Sequence, residues 1–216
     1  MTIIEAIQQE IRPQFDQDST GHDWHHIMRV LNLSRHLQAK EGGDLEIIEL
    51  AALLHDVSDH KFNGGKLDEG GKVAQSLLRK YDYPEDRAAQ VAYIVDNISY
   101  KGANTPAEMK TLEGKIVQDA DRIDAIGAIG IGRTFAYGGY KGQPMHAPEL
   151  KAEMHESFES YANKTTSTIN HFYEKLLLLK DRMHTKTAKK IASHRQEIMV
   201  NYLDEFYAEW DVEIKD

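Results

Sequence analysis

The sequence predicts an all-α protein, built as a single-domain helical bundle. Apolar residues recur three and four positions apart along nearly the whole chain, which is the spacing of an amphipathic helix. No segment shows the alternation of apolar and polar residues that is typical of a strand. Neither an internal repeat nor a linker-like segment interrupts the 216 residues, so we expect one domain with a sizeable core.

The first predicted helices lie in the N-terminal half. An apolar stripe covers residues 27–37, and the glycines of Glu41–Gly43 end that helix. Leu45–Val57 is apolar on most sides, which predicts a helix at the centre of the bundle. The stripe at 91–98 predicts another helix, with Pro84 near its first turn.

Further helices are predicted in the second half. Thr105–Glu108 has the pattern of a capping box with proline at the first helical position, and predicts the start of a helix that carries Leu112, Ile116 and Ile123. Segments rich in glycine, among them Tyr137–Pro144, are predicted to be loops. Later apolar stripes predict helices over 150–161, 169–176 and 188–206.

Composition narrows the class of protein. The formal net charge of −9 argues against a basic surface that binds nucleic-acid polymers or anionic membranes. The chain has no cysteine, so neither a disulfide framework nor a thiolate site is available. The first residues lack a basic leader followed by an apolar run, and the most apolar segment is broken by Glu46 and Glu49. We expect a cytoplasmic protein without a membrane partner.

Histidines and acidic residues gather in three short segments. Six of the 11 histidines come before residue 61. The segments are His22–Val30 (HDWHHIMRV), His55–Phe62 (HDVSDHKF) and Gln118–Asp124 (QDADRID). Imidazole and carboxylate groups are the side chains that bind divalent metal ions in the absence of cysteine, so these segments are the candidates for a functional site.

His55 and Asp56 follow the most apolar predicted helix directly. An uncompensated carboxylate next to such a helix is costly to bury, and a divalent cation would offset that cost. In the alternative interpretation the aspartate caps the helix end and the histidine lies at the rim of the core. A single pair of this kind is more often structural than functional.

The other two segments favour a metal site. Asp119, Asp121 and Asp124 lie within two helical turns, and their flanks are too apolar for an exposed helix, which indicates a buried charged site. His22 and His26 are four residues apart and lie one above the other on a helix. Two histidines and two aspartates on an octahedral ion would leave two positions open for water and substrate, which implies Lewis-acid activation of water.

The order His26, His55–Asp56 and Asp121 resembles the H…HD…D signature of the HD-domain metal-dependent phosphohydrolases. The segments LAALLHDVSDHKF and IVQDADRIDAIGAIGIGRTF are similar to a small single-domain bacterial branch that includes nucleoside triphosphate pyrophosphatases. The resemblance covers about residues 21–135. It implies one HD-type domain over 1–216, in which C-terminal helices within 148–208 pack on that core.

The resemblance also implies a ligand set. The metal ligands would be His26, His55, Asp56 and Asp121, with Asp119 as the rival for the fourth position. His22 would then lie beside the ligands or face the substrate. Dinuclear members carry further histidines after the HD pair, whereas this chain has none between His60 and His146. We therefore expect one divalent ion. Mn²⁺ is the first candidate, and Co²⁺, Ni²⁺, Fe²⁺, Zn²⁺ and Mg²⁺ are the alternatives.

Roles follow for the residues near these ligands. Asp59 would orient the attacking water or accept its proton, and Lys61 would hold a phosphate. Arg122 and Arg133 are further phosphate candidates, although Arg122 could simply pair with an aspartate. Tyr137 could stack on a base, and an ordinary loop tyrosine is an equal alternative.

The predicted function is hydrolysis of a (deoxy)nucleoside triphosphate to monophosphate and pyrophosphate. A phosphomonoesterase or phosphodiesterase that acts on a nucleotide is one alternative. A regulatory protein that binds metal and nucleotide without turnover is another. The small-molecule partner is a nucleotide in each case, and the chain could be a monomer or a homodimer.

Overall fold

The computed structural model describes residues 1–16, 21–57, 70–98, 109–153 and 166–212. Within these residues the chain is helical and contains no strand, which confirms the predicted all-α class. The helices are α1 (Ile3–Phe15), α2 (Trp24–Glu41), α3 (Leu45–Leu54), α4 (Gly70–Arg79), α5 (Glu85–Ile98), α6 (Leu112–Asp124), α7 (Gly127–Tyr140), α8 (Thr168–Glu174) and α9 (Lys186–Trp210). Two 3₁₀ turns, Leu176–Leu178 and Lys180–Arg182, join α8 to α9.

Helix α3 lies at the centre, as its composition predicts. From Leu50 to Leu54 every side chain is fully buried, and α1, α2, α5 and α6 pack around it. One continuous apolar core holds residues from Ile7 in α1 to Leu203 in α9. The site residues at the C-terminal end of α3 therefore sit on a rigid support.

Two predicted boundaries are wrong. The helix that carries Ile116 begins at Leu112, where Thr111 is the N-cap and its hydroxyl accepts from the backbone N–H of Gly114; Met109 and Lys110 are not helical. The start predicted at Thr105–Glu108 lies outside the described residues. Of the helix predicted over 150–161, residues 150–153 are not helical, and 154–161 lie outside the described residues.

Helix α7 ends at Tyr140, so it includes the first four residues of the loop predicted at Tyr137–Pro144, whereas residues 141–144 are not helical, as predicted. A Cβ on Gly130 would lie 2.3 Å from the carbonyl oxygen of Ala125, and one on Gly138 would lie 2.2 Å from Oγ1 of Thr168. These glycines allow close approach of α7 to its neighbours. Within the predicted loop, Gly138 thus marks a close contact and not a turn, which explains why the start of that segment is misleading.

Candidate metal centre

Three elements bring the HD residues together. Asp23 is the N-cap of α2, and its Oδ1 accepts from the backbone N–H of His26 at 2.8 Å, which fixes His26 in the first helical turn. His55 is the C-cap of α3, and Asp56 follows in the turn. Asp121 faces both from the last two turns of α6. Residues from each of the three segments that the sequence singles out thus meet at one place.

The donor atoms of these four residues converge. Nε2 of His26 lies 3.1 Å from Nε2 of His55, 3.3 Å from Oδ2 of Asp56 and 3.7 Å from Oδ1 of Asp121. Nε2 of His55 lies 3.4 Å and 3.8 Å from the same two oxygens. An ion about 2.1 Å from each ligand would place neighbouring ligand atoms about 3 Å apart at right angles. The spacing fits a single divalent ion with two nitrogen and two oxygen ligands.

The tautomers of the two histidines support this fit. Nδ1 of His26 donates to Oδ2 of Asp124 at 2.8 Å, and Nδ1 of His55 donates to the carbonyl oxygen of Ala52 at 2.8 Å. With both Nδ1 atoms protonated, the rings in their neutral form would present the Nε2 lone pairs to each other. Two lone pairs that face each other repel unless a cation lies between them, so the donor set suits a metal ion.

Burial divides the site into a dry and a wet side. The side chains of His26 and His55 are 0% and 1% exposed, whereas those of Asp56 and Asp121 are 19% and 32% exposed. The imidazoles therefore form the floor of the centre and the carboxylates lie at its mouth. Substrate and water would reach the ion from the carboxylate side.

Neighbouring groups shift the pKa values of His26 and Asp56 in opposite directions. Burial by itself lowers the pKa of His26, but hydrogen bonds to Asp124 and Asp56 outweigh burial and raise it to about 9. Burial by itself raises the pKa of Asp56, but the charges of His55 and His22 hold it well below its usual range. Asp56 is thus ionised at neutral pH, as a metal ligand must be.

The predicted substrate residues lie in different surroundings. His22 precedes Asp23, the N-cap of α2, so it does not lie on the helix with His26 as the spacing predicts. Its Nδ1 donates to Oδ2 of Asp56 at 2.7 Å, so His22 adjoins the centre through a predicted ligand. Nη1 of Arg133 donates to Oδ2 of Asp124 at 2.8 Å, which supplies the partner that its apolar surroundings require. Tyr137 lies one turn after Arg133 in α7, with the ammonium of Lys141 5.7 Å from its ring.

Asp119 and Arg122 face away from the centre. The carboxylate of Asp119 is fully buried and accepts from the backbone N–H groups of His184 and Thr185, both at 2.8 Å. Arg122 donates to the carbonyl oxygen of Arg182. These contacts fasten α6 to the start of α9 and favour Asp121 over Asp119 as the fourth ligand. The catalytic residues predicted at Asp59 and Lys61 lie outside the described residues.

The sequence places Asp124 in the buried charged site without a role of its own, and it does not single out Arg29 or Lys175. Asp124 receives His26 and two arginines, one of which is Arg29. Lys175 follows α8. Burial lowers its pKa below the ordinary value, and the charges of Asp121 and Asp56 offset only part of that shift. A lysine just before the apolar run 176–179 was the available signal for Lys175, and the i,i+3 spacing from His26 was the signal for Arg29.

Fold and site define a metal-dependent phosphohydrolase, and comparison with known proteins agrees. The family model of the HD domain matches residues 23–126. The uncharacterized protein YpgQ of Bacillus subtilis is 36% identical over 200 residues, which are 92% of this chain and 89% of YpgQ. The chain therefore belongs to the HD superfamily of hydrolases.

Solved structures show the same relationship. A protein from Lactobacillus plantarum has a TM-score of 0.87 and 36% identity, with 98% of this chain and 99% of that chain covered. An HD-superfamily hydrolase from Bacillus thuringiensis has a TM-score of 0.74 and 40% identity over 96% of both chains. YpgQ in complex with ADP has a TM-score of 0.75 and 33% identity over 95% and 97% of the two chains.

A helix that spans a membrane must be both long and apolar. None of the helices in the described ranges is both long and apolar enough to span a bilayer.

Proposed function

We propose that the chain hydrolyses a nucleoside triphosphate to a monophosphate and pyrophosphate. The reaction would use one divalent ion, with Mn²⁺ as the first candidate. Its ligands would be His26, His55, Asp56 and Asp121. The observation that carries the proposal is the convergence of two imidazole nitrogens and two carboxylate oxygens within 3.1–3.8 Å at the mouth of a buried centre. An ion bound there supplies Lewis acidity toward a phosphoryl oxygen and lowers the pKa of its water.

The surrounding side chains suit a polyanionic substrate. Phosphoryl transfer needs positioning and neutralisation of charge more than covalent chemistry. Arg133 is 18% exposed at the side of the centre, and Lys175 interacts electrostatically with Asp121 and Asp56. These two cations would hold the phosphate chain, while His22 holds the carboxylate of Asp56 in place.

The nucleotide part of the proposal rests on a relative. YpgQ has been crystallised with ADP, and the chain covers nearly all of YpgQ. Tyr137, 36% exposed and one turn beyond Arg133, is the residue that we propose to stack on the base. Asp59 is proposed to orient the water or accept its proton, and Lys61 to bind a phosphate.

A substrate panel tests the proposal. The protein, loaded with Mn²⁺, Co²⁺ or Mg²⁺, is offered ribo- and deoxynucleoside triphosphates, monophosphates and cyclic nucleotides, and pyrophosphate is separated from orthophosphate. We expect triphosphates to yield monophosphate and pyrophosphate in equal amounts. Release of orthophosphate alone would replace the proposal by a phosphomonoesterase, and binding without turnover would replace it by a regulatory protein.

A further inference from the structure

Asp124 is an acidic residue of the QDADRID segment that is not among the proposed metal ligands. It is the last residue of α6, one turn after Asp121, and its side chain is 1% exposed. A buried carboxylate needs partners for its lone pairs and for its charge. Asp124 has them from three directions.

The carboxylate of Asp124 accepts four hydrogen bonds. Oδ2 accepts from Nδ1 of His26 at 2.8 Å and from Nη1 of Arg133 at 2.8 Å. Arg29 binds in a bidentate manner, with Nε 2.7 Å from Oδ1 and Nη2 3.0 Å from Oδ2. Three of these bonds fall on Oδ2 and one on Oδ1, and the ring of His26 separates Oδ2 from the Nε2 atom that faces the centre. Asp124 can therefore act on the centre only through its neighbours.

Asp124 acts on the centre through its hydrogen bond to Nδ1 of His26. A hydrogen bond on Nδ1 fixes the plane of the imidazole ring and leaves Nε2 as the atom that points at the centre. The negative charge of Asp124 also makes Nε2 a stronger base toward a cation. Because Arg29 and Arg133 hold the carboxylate from its other sides, it cannot turn away from His26.

We infer that Asp124 is a positioning residue for the metal centre, which orients His26 as a ligand and is itself held by Arg29 and Arg133. The inference rests on the metal site of the proposed function and is independent of the substrate. In the sequence, Asp119 and Asp124 are equivalent acids of one helix; the structure gives them different tasks. Asp119 fastens α9 to α6 through backbone N–H groups.

This difference supplies a matched pair of variants. Asp124→Asn and Asp119→Asn both replace a buried aspartate of α6 by its isostere. Each protein is freed of metal with a chelator, and the Kd for Mn²⁺ is measured by isothermal titration calorimetry without nucleotide. We expect Asp124→Asn to raise the Kd about 10- to 100-fold, the range for loss of a carboxylate behind a ligating histidine. We expect Asp119→Asn to lower Tm and leave the Kd unchanged.

A second readout separates positioning from general loss of structure. The visible spectrum of bound Co²⁺ reports the geometry of the ligands, and we expect it to change in Asp124→Asn and to stay as in the native protein in Asp119→Asn. Should Asp124→Asn fail to fold, Arg29→Gln decides, because Arg29 is 33% exposed and its loss loosens the same carboxylate. A higher Kd for Mn²⁺ supports the inference.

An unchanged Kd and an unchanged Co²⁺ spectrum in folded Asp124→Asn would overturn the inference and leave the proposed function intact. An unchanged Kd in Arg29→Gln, where that variant decides, would do the same. If the native protein binds Mn²⁺ as expected but hydrolyses no nucleotide, the proposed function fails and the role of Asp124 stands. The two failures are thus distinguishable.

Discussion

Nε2 of His26 and Nε2 of His55 lie 3.1 Å apart, although the two residues come from different helices and are 29 positions apart in the chain. Each ring already uses Nδ1 in a hydrogen bond within the protein. In the absence of metal, a proton shared by the two Nε2 atoms would offset their repulsion, and a bound ion would take its place.

Loss of Asp56 removes a carboxylate at the mouth of the centre. We expect Asp56→Asn to lower kcat/KM by about 10³-fold or more, about 4 kcal/mol of transition-state stabilisation, because the metal and its water are no longer held. The measurement is turnover of the best triphosphate at saturating Mn²⁺. Asp181→Asn, an exposed aspartate in the second 3₁₀ turn, is the control. Retention of turnover in folded Asp56→Asn would contradict the assignment of the centre.

Metal binding should depend on pH through His26. Its pKa in the folded metal-free protein is about 9, above the ordinary 6.5. The stability that this protonation contributes is fully present below pH 6.5 and is lost as the pH rises through 9. We expect the Tm of the metal-free protein to fall over that interval.

The affinity for Mn²⁺ should rise over the same interval, because the ion replaces a proton on Nε2. Calorimetric titrations in buffers of different ionisation enthalpy give the number of protons released, and we expect about one from His26. His26→Gln removes the titrating group and should remove the fall in Tm. An affinity that does not change with pH would argue against displacement of that proton.

Lys175 is expected to act on the substrate. Lys175→Met removes a positive charge that interacts with Asp121 and Asp56. We expect kcat/KM for the nucleotide to fall about 10- to 100-fold, the equivalent of one hydrogen bond to a charged group, about 1.5–3 kcal/mol. Lys180→Met, in a 3₁₀ turn of the same connection, is the control. Equal activity of the two variants would show that Lys175 does not contact the phosphates.

Asp119 should matter for stability. Asp119→Ala leaves the backbone N–H groups of His184 and Thr185 without their acceptor in a buried place, which costs about 3 kcal/mol or more. For a chain of this size that loss lowers Tm by roughly 6–12 °C. Scanning calorimetry measures it. Asp121→Ala, on the more exposed side of α6, should keep Tm and lose metal binding; the reverse pattern would make Asp119 the ligand.

Two glycines of α7 give opposite predictions for the same substitution. Gly130→Ala places a Cβ 2.3 Å from the carbonyl oxygen of Ala125, and the resulting shift of backbone should cost about 1–3 kcal/mol. Gly132→Ala meets no atom within 4 Å and should stabilise the helix by about 0.5–1 kcal/mol. Urea unfolding of the two variants measures both. A stabilised Gly130→Ala would contradict the close approach.

Local patterns in the sequence predicted several helices of this protein correctly. The 3.6-residue period was enough for the helices at 27–37, 91–98 and 188–206, because amphipathic spacing records which face is buried. The apolar run of α3 indicated its central place. Gly138, at the end of α7, misled, because a glycine that permits close packing and a glycine that permits a turn look the same in a sequence.

By itself, the sequence determined the all-α class, the HD family and the three segments that form the centre. Only the tertiary structure decided which acids of QDADRID share which task. Each residue of a helix is rotated by about 100° from the one before it. Asp119, Asp121 and Asp124 therefore point in different directions, and each meets a different neighbour. Asp119 meets backbone N–H groups of the start of α9, Asp121 meets the two histidines, and Asp124 meets His26 together with two arginines. The partner that each carboxylate meets sets its charge and its role, and those partners come from distant parts of the chain.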